Sequence, residues 1–277
     1  MKSLITPAIT LAIILATTIV SATAHATPHP NPFSYPYETL AQGAVEVEQY
    51  LDLVPVRVEK EKADGTLEGV WGTRSIMVTE LEYGITDRLE FGWYFQFRQG
   101  ATAGTPFLRF DGVKQRLRYR FAEANELPVD IGIYLEVAEF SNELEFEQKI
   151  LLSKRFGAFN VVSNLWFEQE WYWQENNTKY IYNPTLAFNY ELSPRFIVGG
   201  EYWVRGRFDD ASAGEATDTN DSPTGAHHFL GPTFLFQTSK AFLALGVYAR
   251  LDGIGDSAVV NDPYGKLWVR TLIGLDL

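Results

Sequence analysis

Residues 81–98, LEYGITDRLEFGWYFQFR, decide the fold. From Leu89 onward an apolar side chain occupies every second position, and glycine or mostly polar residues occupy the positions between. Successive side chains of a β-strand point to opposite faces, so the pattern predicts a strand with one apolar face and one mostly polar face. The preceding GITD predicts the turn of a β-hairpin.

The same alternation recurs along the chain and predicts twelve strands, at about 45–58, 70–83, 88–98, 110–122, 129–139, 143–155, 159–172, 179–192, 195–206, 228–238, 241–251 and 265–277. Most reach the roughly 9 to 11 residues that a tilted strand needs to cross a bilayer. The apolar face is too aromatic, and repeats too often, for the few helical segments to cover it. The sequence therefore predicts an all-β fold, a transmembrane antiparallel β-barrel of about 12 strands with its polar face toward a lumen. A soluble periplasmic β-sandwich is the alternative, and it would expose several rows of aromatic side chains.

The connections between these strands alternate in length. Short ones are predicted at 84–87, 122–128, 155–158, 192–194 and 238–240, and longer ones at 59–69, 99–109, 173–178, 207–227 and 252–264, with one tight exception at 141–142. Bacterial barrels have short periplasmic turns and longer outer loops. The alternation thus predicts an even number of strands, with both ends of the barrel chain on the periplasmic side.

The N-terminal residues predict export. Lys2, an apolar run from Leu4 to Val20 and the small residues up to Ala26 have the order of a secretory signal peptide, so residues 1–26 are expected to be removed. A membrane anchor helix is the alternative, but the run is short of the roughly 20 residues that a spanning helix needs. The proline-rich residues 27–42 predict an extended periplasmic lead-in, and residues 43–277 form the predicted barrel. Whether the lead-in plugs the lumen stays open.

Composition excludes several function classes. The chain has no cysteine, which excludes disulfides, thiol chemistry and thiolate metal sites. Its formal net charge of -12 argues against binding nucleic acid, whose phosphates it would repel. We predict no cofactor and no metal site. The expected partners are outer-membrane lipid and lipopolysaccharide, the outer-membrane assembly machinery and a small solute of unknown identity.

Three segments carry a family resemblance: EYGITDRLEFGW, KRFGAFNVV and NYELSPRFIVGGEYW. They resemble the periplasmic hairpins of Gram-negative outer-membrane β-barrels, and in particular poorly characterised putative transporters near the phenol meta-pathway outer-membrane family. The resemblance extends through most of residues 70–277. It implies an outer-membrane location and passive transport of a small solute.

Charged residues follow the inward face of several predicted strands. In the fourth strand these are Lys114, Arg116, Arg118 and Arg120, and a cation facing lipid would cost about 2 to 4 kcal/mol at the midplane of the bilayer. By the same argument other strands place carboxylates inside, at Glu80, Glu82, Glu143, Glu145, Glu147, Glu168 and Glu170. We predict that these basic and acidic ladders line a pore and filter solutes through a transverse field.

Other interpretations remain open. The ladders can instead pair with each other and fill a narrow lumen, which would give a non-conducting barrel with a structural or surface-binding role. An outer-rim hydrolase is a third reading, since Asp209 and Asp210 face His227 and His228 across one predicted loop. Such a grouping is more often a solvated loop, and we predict no catalytic residues. The acidic outer loops match no complete calcium-binding pattern and predict solvated surface.

Overall fold

The structure is a computed structural model that describes residues 28–100, 108–209 and 222–277. These residues form thirteen β-strands: β1 (Val45–Glu61), β2 (Leu67–Thr86), β3 (Leu89–Gln99), β4 (Arg109–Arg120), β5 (Asp130–Phe140), β6 (Glu143–Phe156), β7 (Phe159–Tyr172), β8 (Asn177–Tyr182), β9 (Thr185–Ser193), β10 (Phe196–Arg207), β11 (His227–Gln237), β12 (Ala241–Arg250) and β13 (Leu267–Asp276). None of the described residues forms a helix long and apolar enough to cross a membrane. The predicted signal peptide, residues 1–26, lies outside the described residues.

The strands form one closed antiparallel barrel. Neighbours in the chain pair with each other, and β1 pairs with β13 along Glu46–Leu53, which closes the sheet. β8 and β9 share one position, because both pair with β7 on one side and with β10 on the other. Pro184, which lies between them, has no backbone N–H to donate, so the ladder is interrupted there. The barrel thus has twelve strand positions, and the predicted twelve-stranded transmembrane β-barrel is confirmed.

The hairpin of β1 and β2 is longer than predicted. Pairing continues through Glu59 with Gly69 and ends at Glu61 with Leu67, so the expected outer loop 59–69 shrinks to five residues. Gly65 takes a positive φ of 82° in this turn, and Asp64 accepts a 3.0 Å hydrogen bond from the backbone N–H of Thr66. A glycine turn of this kind closes a hairpin directly, which lets both strands pair up to it. The tight connection at 141–142 is present as predicted.

The two faces of the sheet have opposite chemistry. In the hairpin of residues 81–98, Leu81 and Trp93 pair across the strands and are 42% and 41% exposed on the outside. Glu90 on the other face is completely buried. The same apolar outer surface continues through Leu135, Phe146, Leu165, Phe188, Leu230, Leu245 and Ile273. This is the surface that a bilayer requires, so the core of the molecule is the polar inside of the barrel.

Residues 28–42, here called the N-terminal segment, run inside the barrel. Phe33, Tyr37 and Leu40 are buried, as are the polar residues His29 and Ser34. The segment joins β1 at the end of the short turns, where the backbone N–H of Gly43 donates to Gly84. From there it extends inward as far as Phe33 and returns toward the same end at Pro28. Residues 28–42, which were expected to form a periplasmic lead-in, therefore occupy the lumen. The alternation of the strands gave no indication of this position.

The lipid-facing surface yields a stability prediction. Leu245 is central in β12 and points outward, so Leu245→Arg is expected to lower the free energy of unfolding by about 2 to 4 kcal/mol, the cost of a cation near the midplane of the bilayer. Urea unfolding of the protein in lipid vesicles, followed by tryptophan fluorescence, measures this change.

The matched control for that experiment is Leu192→Arg. Leu192 is 60% exposed at the rim of the short turns, where the same substitution is expected to cost about 0 to 1 kcal/mol. Equal costs at the two positions would contradict the placement of the bilayer around the middle of the strands.

Candidate functional site

The barrel wall holds the N-terminal segment by its backbone. The Glu201 carboxylate accepts hydrogen bonds from the backbone N–H groups of Phe33 and Ser34, at 3.1 and 2.6 Å. Asn164 accepts from the backbone N–H of Tyr35 at 2.7 Å and donates to its carbonyl at 3.0 Å. Buried backbone groups need such partners, and here side chains of the wall provide them. The segment is therefore anchored specifically and does more than fill space.

The tip of the segment inserts an aromatic ring into a cluster on the wall. Phe33 stacks on Trp203 with 4.2 Å between ring centroids and meets Trp268 edge-on at 5.9 Å. The Arg270 guanidinium lies 3.8 Å from the centre of the Phe33 ring and binds Asp52 through two hydrogen bonds of 2.6 Å. Cation–π and aromatic contacts of this kind favour a fixed position for the ring.

The segment lies between two cavities of the lumen, as far as the described residues show it. The outer cavity, on the side of the longer connections, has a volume of about 160 Å³, and Phe33 and Tyr35 contribute to its lining. The cavity on the side of the short turns is larger, about 530 Å³, and Asn31 and Glu38 of the segment contribute to its lining. A solute crossing the barrel must therefore pass the N-terminal segment.

The predicted basic ladder is buried within the barrel. Arg116 binds Glu80 at 2.8 Å and Glu90 at 2.5 Å, and it also pairs with Glu82. Arg118 binds Glu90 at 2.7 Å. The Arg116 side chain crosses Gly92, where an added Cβ would lie 2.7 Å from the guanidinium Nε, so glycine leaves the space that the ion pairs need. Neither guanidinium is exposed to a solute in the lumen.

The two ends of the basic ladder differ from its centre. Lys114 pairs with Glu136 at 3.0 Å and lies 3.9 Å from Glu145, and its side chain keeps 18% exposure toward the outer cavity. Arg120 lies at the short-turn end, where it binds Glu123 at 2.5 Å and donates to the carbonyl of Asp87. Only Lys114 of the four predicted cations contributes to the lining of the outer cavity.

The remaining predicted carboxylates also lie inside. Glu168 and Glu170 bind Arg205 at 2.8 and 2.7 Å, and Glu143 is buried on the same face of β6 as Glu145 and Glu147. Glu147 pairs with Lys149, whose ammonium lies within 3.8 Å of the ring centres of Tyr35, Tyr134 and Trp166. The structure thus pairs Arg116 with the predicted Glu80 and Glu82, and it brings Lys114 near Glu145 and Arg118 near Glu82. The other predicted residues with an ion pair named above, such as Glu147, Glu168 and Glu170, pair with charged residues that were not predicted. The role of the predicted residues in lining a conducting path stays a prediction.

Several charged residues of the lumen were missed by the sequence analysis. Arg98, Arg205 and Arg270 keep 15 to 17% side-chain exposure and line the outer cavity together with Lys114, whereas Asp52 and Glu168 beneath them are almost fully buried. The signal was present, because each occupies an inward position of an alternating strand. The sequence did not indicate the role of Glu201, because its carboxylate binds the backbone of the N-terminal segment.

At the outer rim, the residues of the predicted hydrolase grouping have separate partners. His227 Nδ1 lies 3.0 Å from Asp252, and Asp209 binds Arg207 at 2.5 Å. His228 Nδ1 lies 2.6 Å from the Tyr202 hydroxyl. Asp210 lies outside the described residues. These pairs stabilise the loop ends and do not by themselves assemble a nucleophile with a base.

Comparison with known proteins gives structural relatives and no family assignment. No protein-family model matches the sequence, and comparison with curated protein sequences finds no match. Among solved structures, the COG4313 outer membrane channel from Pseudomonas putida F1 matches with a TM-score of 0.59, 13% identity, and coverage of 87% of this chain and 98% of that chain. The chain has the fold of an outer-membrane channel. The NanC porin matches with a TM-score of 0.55, 8% identity, and coverage of 84% of this chain and 100% of that chain.

The central ion-pair cluster predicts a large stability effect. Arg116→Met removes the guanidinium that pairs with Glu80, Glu82 and Glu90, and breaking a buried pair in this way costs roughly 3 to 5 kcal/mol. Urea unfolding in lipid vesicles is the measurement. Arg155→Met is the control, because Arg155 and Glu191 form an exposed pair worth about 0 to 1 kcal/mol. Similar losses for both variants would show that the buried cluster contributes little.

Asp252, which follows β12 at the outer rim, predicts that the free energy of unfolding depends on pH. Burial alone would raise the pKa of Asp252, but hydrogen bonds from His228, His227 and Arg250 outweigh it and lower that pKa from 3.8 to about 2. A carboxyl group whose pKa is lower in the folded state than in the unfolded state stabilises the fold at any pH above its unfolded-state pKa. This stabilisation is lost as the pH falls through the folded-state pKa of about 2. We therefore expect the difference in free energy of unfolding between wild type and Asp252→Asn, measured with urea, to have its full size at pH 5 and to be smaller at pH 2. A gap that stays constant over this range would contradict the assignment.

Proposed function

We propose that this protein is a passive channel of the bacterial outer membrane for small hydrophilic or charged solutes, and that the N-terminal segment controls its lumen. The observation that carries the proposal is a polar lumen with a cavity on each side of one segment that lies outside the strand ladder. A closed barrel with an apolar outside has no exposed sheet edge and fits a bilayer. Lipid and lipopolysaccharide are its proposed surroundings, and the outer-membrane assembly machinery its proposed route of insertion.

The outer cavity favours solutes that carry charge or hydrogen-bonding groups. Its lining has the guanidinium groups of Arg98, Arg205 and Arg270 and the ammonium of Lys114, with carboxylates beneath them. Alternating charges at a constriction set which solutes enter and in which orientation. Because Arg116 and Arg118 are fully buried in their own ion pairs, we assign the filtering role to these outer cations instead.

Passage requires the N-terminal segment to move. Its anchors are polar contacts and one aromatic cluster, while the segment itself is outside the strand ladder and joins the barrel at one end. Segments of this type can shift without breaking the sheet, so the proposed open state keeps the barrel and displaces residues near Phe33.

A disulfide lock tests the proposal. The hydroxyl oxygens of Ser34 and Thr185 are 2.8 Å apart across the segment and the wall, and the chain has no native cysteine. Ser34→Cys with Thr185→Cys is expected to close the channel when oxidised and to restore wild-type conductance when reduced. The measurement is single-channel conductance of the mature protein in a planar bilayer, with a salt gradient to read ion selectivity. Ser34→Cys alone is the control and should not respond to reduction.

The outcomes separate the channel from its gate. Equal conductance in the oxidised and reduced states would keep the channel and reject the segment as its gate. A variant that lacks residues 28–40 is expected to conduct more than wild type. If folded and inserted wild type and deletion variant are both silent, the channel proposal fails.

A non-conducting barrel is the second candidate function. It is favoured by the pairing of the lumen charges with each other and by the specific anchoring of the segment to Glu201, Asn164 and Glu90. In that case the outer loops, and not the lumen, would carry the activity of the protein. The same bilayer measurement decides between the two functions.

A further inference from the structure

A group of three potential metal-binding side chains lies between the N-terminal segment and the wall of the barrel. It consists of His29 from the segment, Glu48 from β1 and Glu82 from β2. In the β1–β2 ladder Glu48 pairs with Glu80 and Glu46 pairs with Glu82, so Glu48 and Glu82 are diagonal neighbours on the inward face. One potential ligand atom from each of the three residues lies within 4.8 Å of the other two.

Each of these three residues has one polar atom with no hydrogen-bond partner among the described residues. His29 is 2% exposed and both glutamates are fully buried, yet His29 Nε2, Glu48 Oε1 and Glu82 Oε2 accept or donate no hydrogen bond. The nearest contacts are electrostatic: His29 Nε2 lies 3.7 Å from Glu48 Oε1, and Arg118 lies 3.8 Å from Glu82 Oε2. Buried polar atoms are almost always satisfied, so three unsatisfied atoms on residues whose potential ligand atoms lie this close together point to a missing ligand.

The charge balance indicates the sign of that ligand. Four completely buried glutamates, Glu48, Glu80, Glu82 and Glu90, surround this part of the lumen, and the guanidinium groups of Arg116 and Arg118 pair with the last three of them. An excess of buried carboxylate is costly unless protons or a cation compensate it. A cation is the simpler ligand, because the unpaired atoms are an imidazole nitrogen and two carboxylate oxygens.

We propose that His29, Glu48 and Glu82 form a binding site for a divalent transition-metal ion of the Zn²⁺ class. Zn²⁺ takes imidazole nitrogen and carboxylate oxygen at about 2.0 to 2.2 Å, whereas Ca²⁺ and Mg²⁺ prefer oxygen ligands alone. Tetrahedral bonds of that length place ligand atoms roughly 3.3 Å apart, so the three side chains need only small rotations to reach the ion. The fourth position remains for water.

The site has a structural consequence for the segment. His29 belongs to the N-terminal segment, and the two glutamates belong to neighbouring strands of the wall, so one ion would link the segment to the barrel. Metal binding adds its free energy to the state that holds the ligands together. The ion would therefore favour the segment in its place inside the lumen, whether or not the barrel conducts.

Metal binding by the folded mature protein tests the site without any transport assay. The protein is purified without a histidine tag, stripped with a chelator and titrated with Zn²⁺ by calorimetry, and with Co²⁺ by visible absorption. We expect one ion per chain and at least tenfold weaker binding in His29→Ala and Glu48→Gln. Ca²⁺ in excess is expected not to displace Zn²⁺.

Two controls distinguish this site from others. His228→Ala and Glu191→Gln remove a histidine and a carboxylate that lie away from the cluster, and both are expected to bind as wild type does. Unchanged binding in His29→Ala, or no stoichiometric binding by folded wild type, would overturn the proposal. His29 lies outside the strands, so His29→Ala keeps the test valid if Glu48→Gln does not fold.

Discussion

The structure depends on how charge is satisfied inside a closed sheet. Each strand that presents an apolar face to lipid must present its other face inward, and there the sequence places glutamate, arginine, lysine and tyrosine. Charges buried away from bulk water need partners at short distance. The cluster of Arg116 with Glu80, Glu82 and Glu90 meets this need across three adjacent strands, and Gly92 leaves room for it.

The same constraint explains the N-terminal segment. A lumen of twelve strands is wider than its paired side chains fill, and the segment occupies the remaining centre with backbone and aromatic groups. Glu201 and Asn164 accept hydrogen bonds from backbone N–H groups of the segment. They can do so because the segment lies inside the barrel. Charged side chains of the wall thus pair with each other and also bind the N-terminal segment. Any movement of the segment therefore changes the electrostatic interactions in the lumen.

The proposed function follows from which charges stay accessible. The cations of the outer cavity keep part of their surface, whereas those at the centre of the basic ladder are enclosed by carboxylates. We therefore assign the selectivity of the proposed channel to the partly exposed groups near Lys114 and Arg270, and the stability of the barrel to the enclosed groups near Arg116. The buried carboxylates around Glu48 are the basis of the proposed metal site.

The sequence alone determined the barrel. Along Leu89 to Phe97, for example, apolar side chains occupy every second position, which shows directly which face of the strand each side chain is on. The number of strand positions and the inward position of the charged ladders were therefore predictable. Only the tertiary structure decided which charges pair, because partners such as Asp52 and Arg270 are far apart in the chain and meet through barrel closure. It also decided the place of the N-terminal segment, since a proline-rich stretch has no periodicity and its anchors exist only once the wall has formed.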